Sequence, residues 1–204
     1  MDPLLSMLQE ENVPATFFTT GQVAEMYPEK AEKLVSLGHE LGSHGFSHKD
    51  FTTLDKASAH KDIKKSVDAL RQFASVTSFR APYLKFPDTY LDLLHEEGFH
   101  LDSSQAKYKL SYYRKSYASP LRRIPVSMSS SHLRLPEWIR MPYLNALASP
   151  VVLYVHPWEF VDWRKTNLRF DCRFKTGPIA LDCLRSALRH FKQKNAQFFR
   201  MTEL

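Results

Sequence analysis

A chain of 204 residues with 43% hydrophobic and 13% aromatic content carries enough apolar side chain for one sizeable core, and no run approaches the ~18 consecutive apolar residues of a membrane span. Met1-Asp-Pro-Leu-Leu-Ser lacks the basic start and apolar centre of a secretory signal, so the sequence as written reads as one cytoplasmic domain over 1–204 with no transmembrane segment. The net charge of +6 is concentrated: Lys107, Lys109, Arg114, Lys115, Arg122, Arg123, Arg134 and Arg140 stand against a single acid, Glu137.

Asp2-Pro3 ahead of Leu4, Leu5, Met7 and Leu8 predicts an opening helix with Asp2 as its cap. Val13 to Thr19 is β-rich and nearly unbroken in apolar character, as in a strand buried on both faces. Helices over Gly21–Met26 and Pro28–Leu37 stop at Gly38, and His39 to Ser43 is the next strand. Ile63, Val67 and Leu70 place a helix over Asp55–Phe73, followed by a strand at Val76–Arg80, a helix at Pro87–Glu97 and a strand at Phe99–Asp102. This alternation is the pattern of βαβ units around a parallel sheet. A basic, loop-rich excursion at about 106–149 interrupts it. A strand at Pro150–Val155, a helix at Pro178–Lys194 and a last strand at Gln197–Met201 close the chain.

The excursion is broken by prolines and lacks a base-reading motif, so no specific nucleic-acid partner is expected. Cys172 and Cys183 are eleven apart, a spacing of no common metal site, and read as two thiols.

The most informative stretch is Glu40-Leu-Gly-Ser-His-Gly-Phe-Ser-His48. Four residues are about one helical turn, so on a helix His44 and His48 would share a face and could share one ion. Neutral imidazole suits Zn²⁺ and other borderline divalent metals better than Ca²⁺ or Mg²⁺. On an ordinary surface helix the same spacing is two solvated histidines. Gly42 and Gly45 beside the pair suggest instead a tight exit from a strand, where α/β proteins place their chemistry. Three other strand ends carry polar groups: Arg80-Ala-Pro-Tyr83, Asp102-Ser-Ser and Tyr154-Val-His156-Pro-Trp158.

With Ala15-Thr-Phe-Phe-Thr-Thr-Gly21, Gly38-His-Glu-Leu-Gly-Ser-His44, the His44/His48 pair, Arg80-Ala-Pro-Tyr83 and His156-Pro-Trp-Glu159, the chain resembles the polysaccharide deacetylases of NodB-homology type, carbohydrate esterase family 4, over most of its length. The resemblance implies an α/β fold, a distorted (β/α) barrel here lacking its first strand. It also implies a metal-dependent hydrolase that removes acetyl groups from an N-acetylated, or O-acetylated, polysaccharide or glycolipid, acting in the first case on non-peptide C–N bonds. His44 and His48 would hold the metal, usually Zn²⁺. Tyr83 would give its backbone N–H to the oxyanion, His156 would protonate the leaving group, Arg80 would orient the carboxylate base, and Asp102 would orient His156. Tyr154, where the family often has leucine, would line the acetyl-methyl pocket, and Trp158 the substrate groove.

The family opens on a strand ending in two aspartates, a base and a third metal ligand, and neither stands in this sequence; Ala106 replaces a family tryptophan. The chain is therefore read as an N-terminally truncated member with impaired turnover. The alternative is a non-catalytic protein that keeps the aromatic groove and binds acetylated sugars.

Overall fold

The computed structural model describes residues 1–113 and 119–204. The chain runs α1 (Asp2–Glu10), β1 (Thr16–Thr19), α2 (Gly21–Met26), α3 (Pro28–Ser36), β2 (Glu40–Ser43), α4 (Lys56–Leu70), β3 (Ser78–Phe79), α5 (Leu91–Glu96), β4 (Leu101–Asp102) and β5 (Arg122–Arg123). It continues with β6 (Met128–Ser129), α6 (Ser130–Leu133), α7 (Glu137–Ala146), β7 (Leu153–Tyr154), α8 (Phe170–Arg173) and α9 (Pro178–Gln193). These elements group into two compact units, Met1–Val13 with Val126–Phe198, and Pro14–Pro125 with Phe199–Leu204.

The second of these holds a parallel sheet in the order β1-β2-β3-β4-β5. Its register sets Thr19 beside Ser43, Ser43 beside Phe79, and Phe79 beside Asp102, so four strand ends finish level. Behind them the fully buried Phe79 ring meets Phe51, Phe86 and Phe99 with centroids 5.2–5.8 Å apart. The helical stripe of α4 buries Ala59, Ile63, Val67 and Leu70. Glu40 is a buried carboxylate satisfied by neutral donors. Thr16 Oγ1 (2.8 Å), the Thr202 amide (3.0 Å) and the Ser78 hydroxyl bond it, which ties the C-terminal turn Met201–Glu203 to the sheet.

In the other unit β6 and β7 pair in parallel, Met128 beside Leu153. The apolar face of α1 (Leu4, Leu5, Met7, Leu8) and that of α9 (Ala180, Leu184, Ala187, Leu188) are both buried. Glu11, just past α1, pairs with Arg189 (2.7 Å) and Lys192 (3.2 Å) on α9. Against the upward push of burial, Lys192 and Arg189 hold the Glu11 carboxyl below its ordinary range. Cys172 and Cys183 are both free thiols. Among the described residues no helix is long and apolar enough to cross a membrane.

Several expectations are corrected. Asp2 is the first residue of α1 rather than its cap, which falls on Met1. β1 is only half-buried because it ends the sheet instead of running through its middle. The expected strands at 76–80, 99–102 and 150–155 shrink to two residues each. No strand forms at 197–201, where Glu40 draws the chain into the turn at Met201. The 106–149 stretch holds β5, β6, α6 and α7, and the two compact units meet within it at 125/126.

Phe79→Ala removes the ring that three aromatic neighbours share. It should cost about 3–5 kcal/mol, read as a fall in the denaturant midpoint at unchanged slope.

Candidate active site

The chain leaves β2 at Ser43 and turns at once. Gly45 sits at φ +71, and a Cβ there would come 2.9 Å from Asp62 Oδ1, so only glycine fits without displacement. From α4, Asp62 accepts the Phe46 amide (2.7 Å) on one oxygen and the Ser47 hydroxyl (2.6 Å) on the other. The Gly21 and Gln22 amides at the start of α2 donate to the Gly45 and Phe46 carbonyls at 3.0 and 3.1 Å. The histidine pair is therefore carried by a pinned loop at the exit of β2, the strand exit that Gly42 and Gly45 suggested, and not by a helix.

The loop brings the rings together all the same. His44 and His48 lie edge to face with centroids 5.1 Å apart. Nδ1 of buried His44 is 2.5 Å from the Arg80 carbonyl, which can only accept, so Nδ1 carries a hydrogen and, in the neutral ring, Nε2 holds the lone pair. That is how metal-ligating histidines are commonly oriented. Two imidazoles on one tetrahedral Zn²⁺ at about 2.0–2.1 Å set their ring centres about 5 Å apart. The pair thus fits two ligands of such an ion. Among the described residues no group of three or more His, Cys, Asp or Glu side chains is placed to hold a metal.

Arg80 follows β3, and its carbonyl faces His44 because its amide bonds the Ser43 carbonyl (2.9 Å). Its buried guanidinium donates to the Ser103 carbonyl (3.2 Å) and hydroxyl (2.7 Å) and lies 4.3 Å from the Phe18 ring centre. Ala81 donates to Ser104 Oγ (2.8 Å). These bonds fix the turn at Pro82–Leu84, where Tyr83 adopts φ 61, a left-handed conformation rare for a side chain of this size. The Tyr83 ring stands edge-on to His48 at 5.1 Å, and Lys109 Nζ bonds its carbonyl (2.8 Å). Asp102 is wholly buried, accepting from the Ser104 amide (3.0 Å) and Arg123 Nε (3.1 Å). Burial pushes its carboxyl up, while Ser104 and Arg123 pull it back.

In the other unit, Tyr154 and His156 flank the end of β7. The Tyr154 hydroxyl is 2.6 Å from His156 Nε2, and Trp158 stacks on the imidazole with centroids 5.6 Å apart. His156 Nδ1 pairs with Glu159 Oε1 at 2.7 Å. His156 thus has a carboxylate partner in Glu159, while the Asp102 carboxylate is engaged by Arg123 and Ser104. Tyr154 is a hydrogen-bond partner of His156 as well as a candidate pocket wall.

Sequence reading named Glu159 and Arg123 without giving them a place in the site, and passed over Asp62. For Glu159 a signal was present: Pro157 starts a 3₁₀ turn, and residues three apart in such a turn are stacked. Three members of the basic stretch are spent inside the protein. Arg123 pairs with Asp88 (2.7 Å), buried Arg134 donates to the Phe174 carbonyl (2.5 Å), and buried Arg140 donates to the Leu133 carbonyl (3.1 Å). Arg114 and Lys115 lie outside the described residues.

Parallel strands whose C-terminal ends carry a histidine pair, a buried arginine and a strained turn define an α/β protein of strand-end chemistry. The family model for polysaccharide deacetylase matches residues 1–101. A peptidoglycan deacetylase of Helicobacter pylori is 24% identical over 161 residues, 78% of this chain and 53% of its own length. A chitooligosaccharide deacetylase of Sinorhizobium fredii is 33% identical over 91 residues, 43% of this chain and 42% of its own. The chain spans about half the length of these curated relatives. The solved family 4 carbohydrate esterase from Streptomyces lividans, in complex with acetate, shares the fold with TM-score 0.66 at 17% identity, over 95% of this chain and 81% of that one. The chain belongs to the polysaccharide deacetylase family of NodB-homology type.

Asp62→Ala should release the histidine loop. The loss of two part-buried acceptors is expected to cost about 1–3 kcal/mol in thermal unfolding and to speed hydrogen exchange at the Phe46 amide specifically.

Proposed function

We propose that this chain removes acetyl groups from an N-acetylated glycan or glycolipid by metal-dependent hydrolysis of the C–N bond. The observation that carries the reading is the His44–His48 pair, its first ring fixed by the Arg80 carbonyl and its second set against Tyr83. His44 and His48 would hold the metal. A divalent cation held there, Zn²⁺ first, would supply the Lewis acidity that polarises an acetyl carbonyl and acidifies water. Tyr83 presents its backbone N–H to the carbonyl oxygen as negative charge develops. Arg80, locked by Ser103, keeps the carbonyl that orients His44 in place and adds positive charge beneath it. His156 is the source of the proton that the leaving nitrogen takes up. Both relatives are named for deacetylation, of peptidoglycan and of chitooligosaccharide, and sugar polymers of that kind are the substrates to try.

The test is acetate release from chitin oligomers and peptidoglycan fragments, with added Zn²⁺ or with chelator. Release should need the metal and fall about 10²–10⁴-fold in His156→Ala with little change in KM. Calorimetric binding of the sugars without any acetate release would overturn the enzyme reading in favour of a glycan-binding protein.

A second measurement concerns the metal alone. Zinc should raise the melting temperature by an amount that grows with its concentration. His44→Ala and His48→Ala should abolish that rise and His156→Ala should keep it; equal loss in all three would remove the division into ligands and acid.

A further inference from the structure

Resting on the deacetylase reading, we propose that the leaving nitrogen receives its proton from the Tyr154 hydroxyl, with His156 as the proton store behind it and Glu159 as the residue that positions the imidazole.

The geometry comes from two periodicities meeting at one residue. Tyr154 and His156 are two apart at the end of β7 and so fall on the same face, which brings the hydroxyl to Nε2 at 2.6 Å. Pro157 then starts the turn Pro157–Phe160, closed by the Glu159 amide on the His156 carbonyl (3.1 Å). Three residues on, the Glu159 carboxylate stacks back onto Nδ1 at 2.7 Å.

Glu159 is built in. Its side chain is 2% exposed, its Oε1 also accepts the Ser130 hydroxyl (2.6 Å), and its Oε2 faces the buried Arg134 guanidinium at 4.0 Å. A carboxylate against Nδ1 fixes that nitrogen as the N–H side and balances the ring's charge when both nitrogens are protonated. The imidazole itself is 37% exposed on its side chain, yet both nitrogens are engaged. A substrate atom therefore meets the tyrosine hydroxyl or must displace it.

The step balances. As the C–N bond breaks and its electron pair stays on nitrogen, the Tyr154 O–H bond breaks to form the new N–H bond. The Nε2–H bond of the doubly protonated imidazole breaks to restore the tyrosine O–H. His156 is left neutral with its hydrogen on Nδ1, and the proton released by the hydrolytic water recharges it. Tyr154 is thus a catalytic residue, and Glu159 a positioning residue that acts through His156.

Two readouts test this. Long-range ¹H–¹⁵N NMR of the metal-free, substrate-free protein reads the His156 ring directly. The neutral ring should carry its proton on Nδ1, Glu159→Gln should shift that nitrogen, and Tyr154→Phe should shift Nε2 alone. A proton on Nε2, or a ring indifferent to both changes, would overturn the relay whether or not the protein turns over. In the acetate assay Tyr154→Phe and Glu159→Gln should each lower kcat by about 10²-fold or more at similar KM, with partial recovery in Glu159→Asp. Unchanged or faster turnover in Tyr154→Phe would make the tyrosine a plug and His156 the direct donor. Absence of turnover in the unmutated protein would count against the deacetylase reading, leaving the NMR result to decide the relay.

Discussion

The parallel pairing of β2 with β3 is the constraint on which the candidate metal pair depends. Because the Arg80 amide bonds the Ser43 carbonyl, the next two groups along, His44 and the Arg80 carbonyl, are delivered side by side. A slip of one residue in this register would turn every side chain to the opposite face and send the imidazole away from the carbonyl that sets its tautomer. The neighbouring β3–β4 register does the same for Arg80 and Ser103. The sheet's edge order thus fixes which hydrogen-bonding groups can reach each other, and the loops only refine it.

Around the strand ends that carry the chemistry, the refinement is rigid. Asp62 holds the histidine loop from α4, Ser104 holds the Ala81 amide, and Tyr83 accepts a left-handed backbone between them. Strain of this kind, of order 1–3 kcal/mol, persists only where surrounding bonds over-determine the position. The two serines after Asp102 supply such bonds, which a reading of Asp-Ser-Ser as a plain turn would miss.

Much of this was legible in advance. The helix–strand alternation, the parallel sheet, and the adjacency of His44, His48 and Tyr83 all follow from short-range patterns and ordered motifs. What stayed hidden were partnerships across sequence distance. Arg123 reaches Asp102 over 21 residues, and Glu40 collects donors from Thr16, Ser78 and Thr202. The lost strand at 197–201 has the same origin, since the Met201 and Thr202 amides at its end are taken by the Thr16 hydroxyl and the Glu40 carboxylate. The histidine pair sits on the strand exit that Gly42 and Gly45 suggested, and Gly45 at positive φ is what rules out a helical turn there.

Arg134 and Arg140 behave less as charges than as splints. Each sits below the surface and spends its planar fork on main-chain carbonyls, Phe174 and Ser130 for one and Leu133 for the other, with Arg140 also meeting Ser186. A lysine has no flat, divergent set of donors to offer in their place. Exchanging the two basic types would leave the net charge of +6 untouched while unpinning the backbone they brace, so in this molecule electrical neutrality of a substitution is no guide to its mechanical cost.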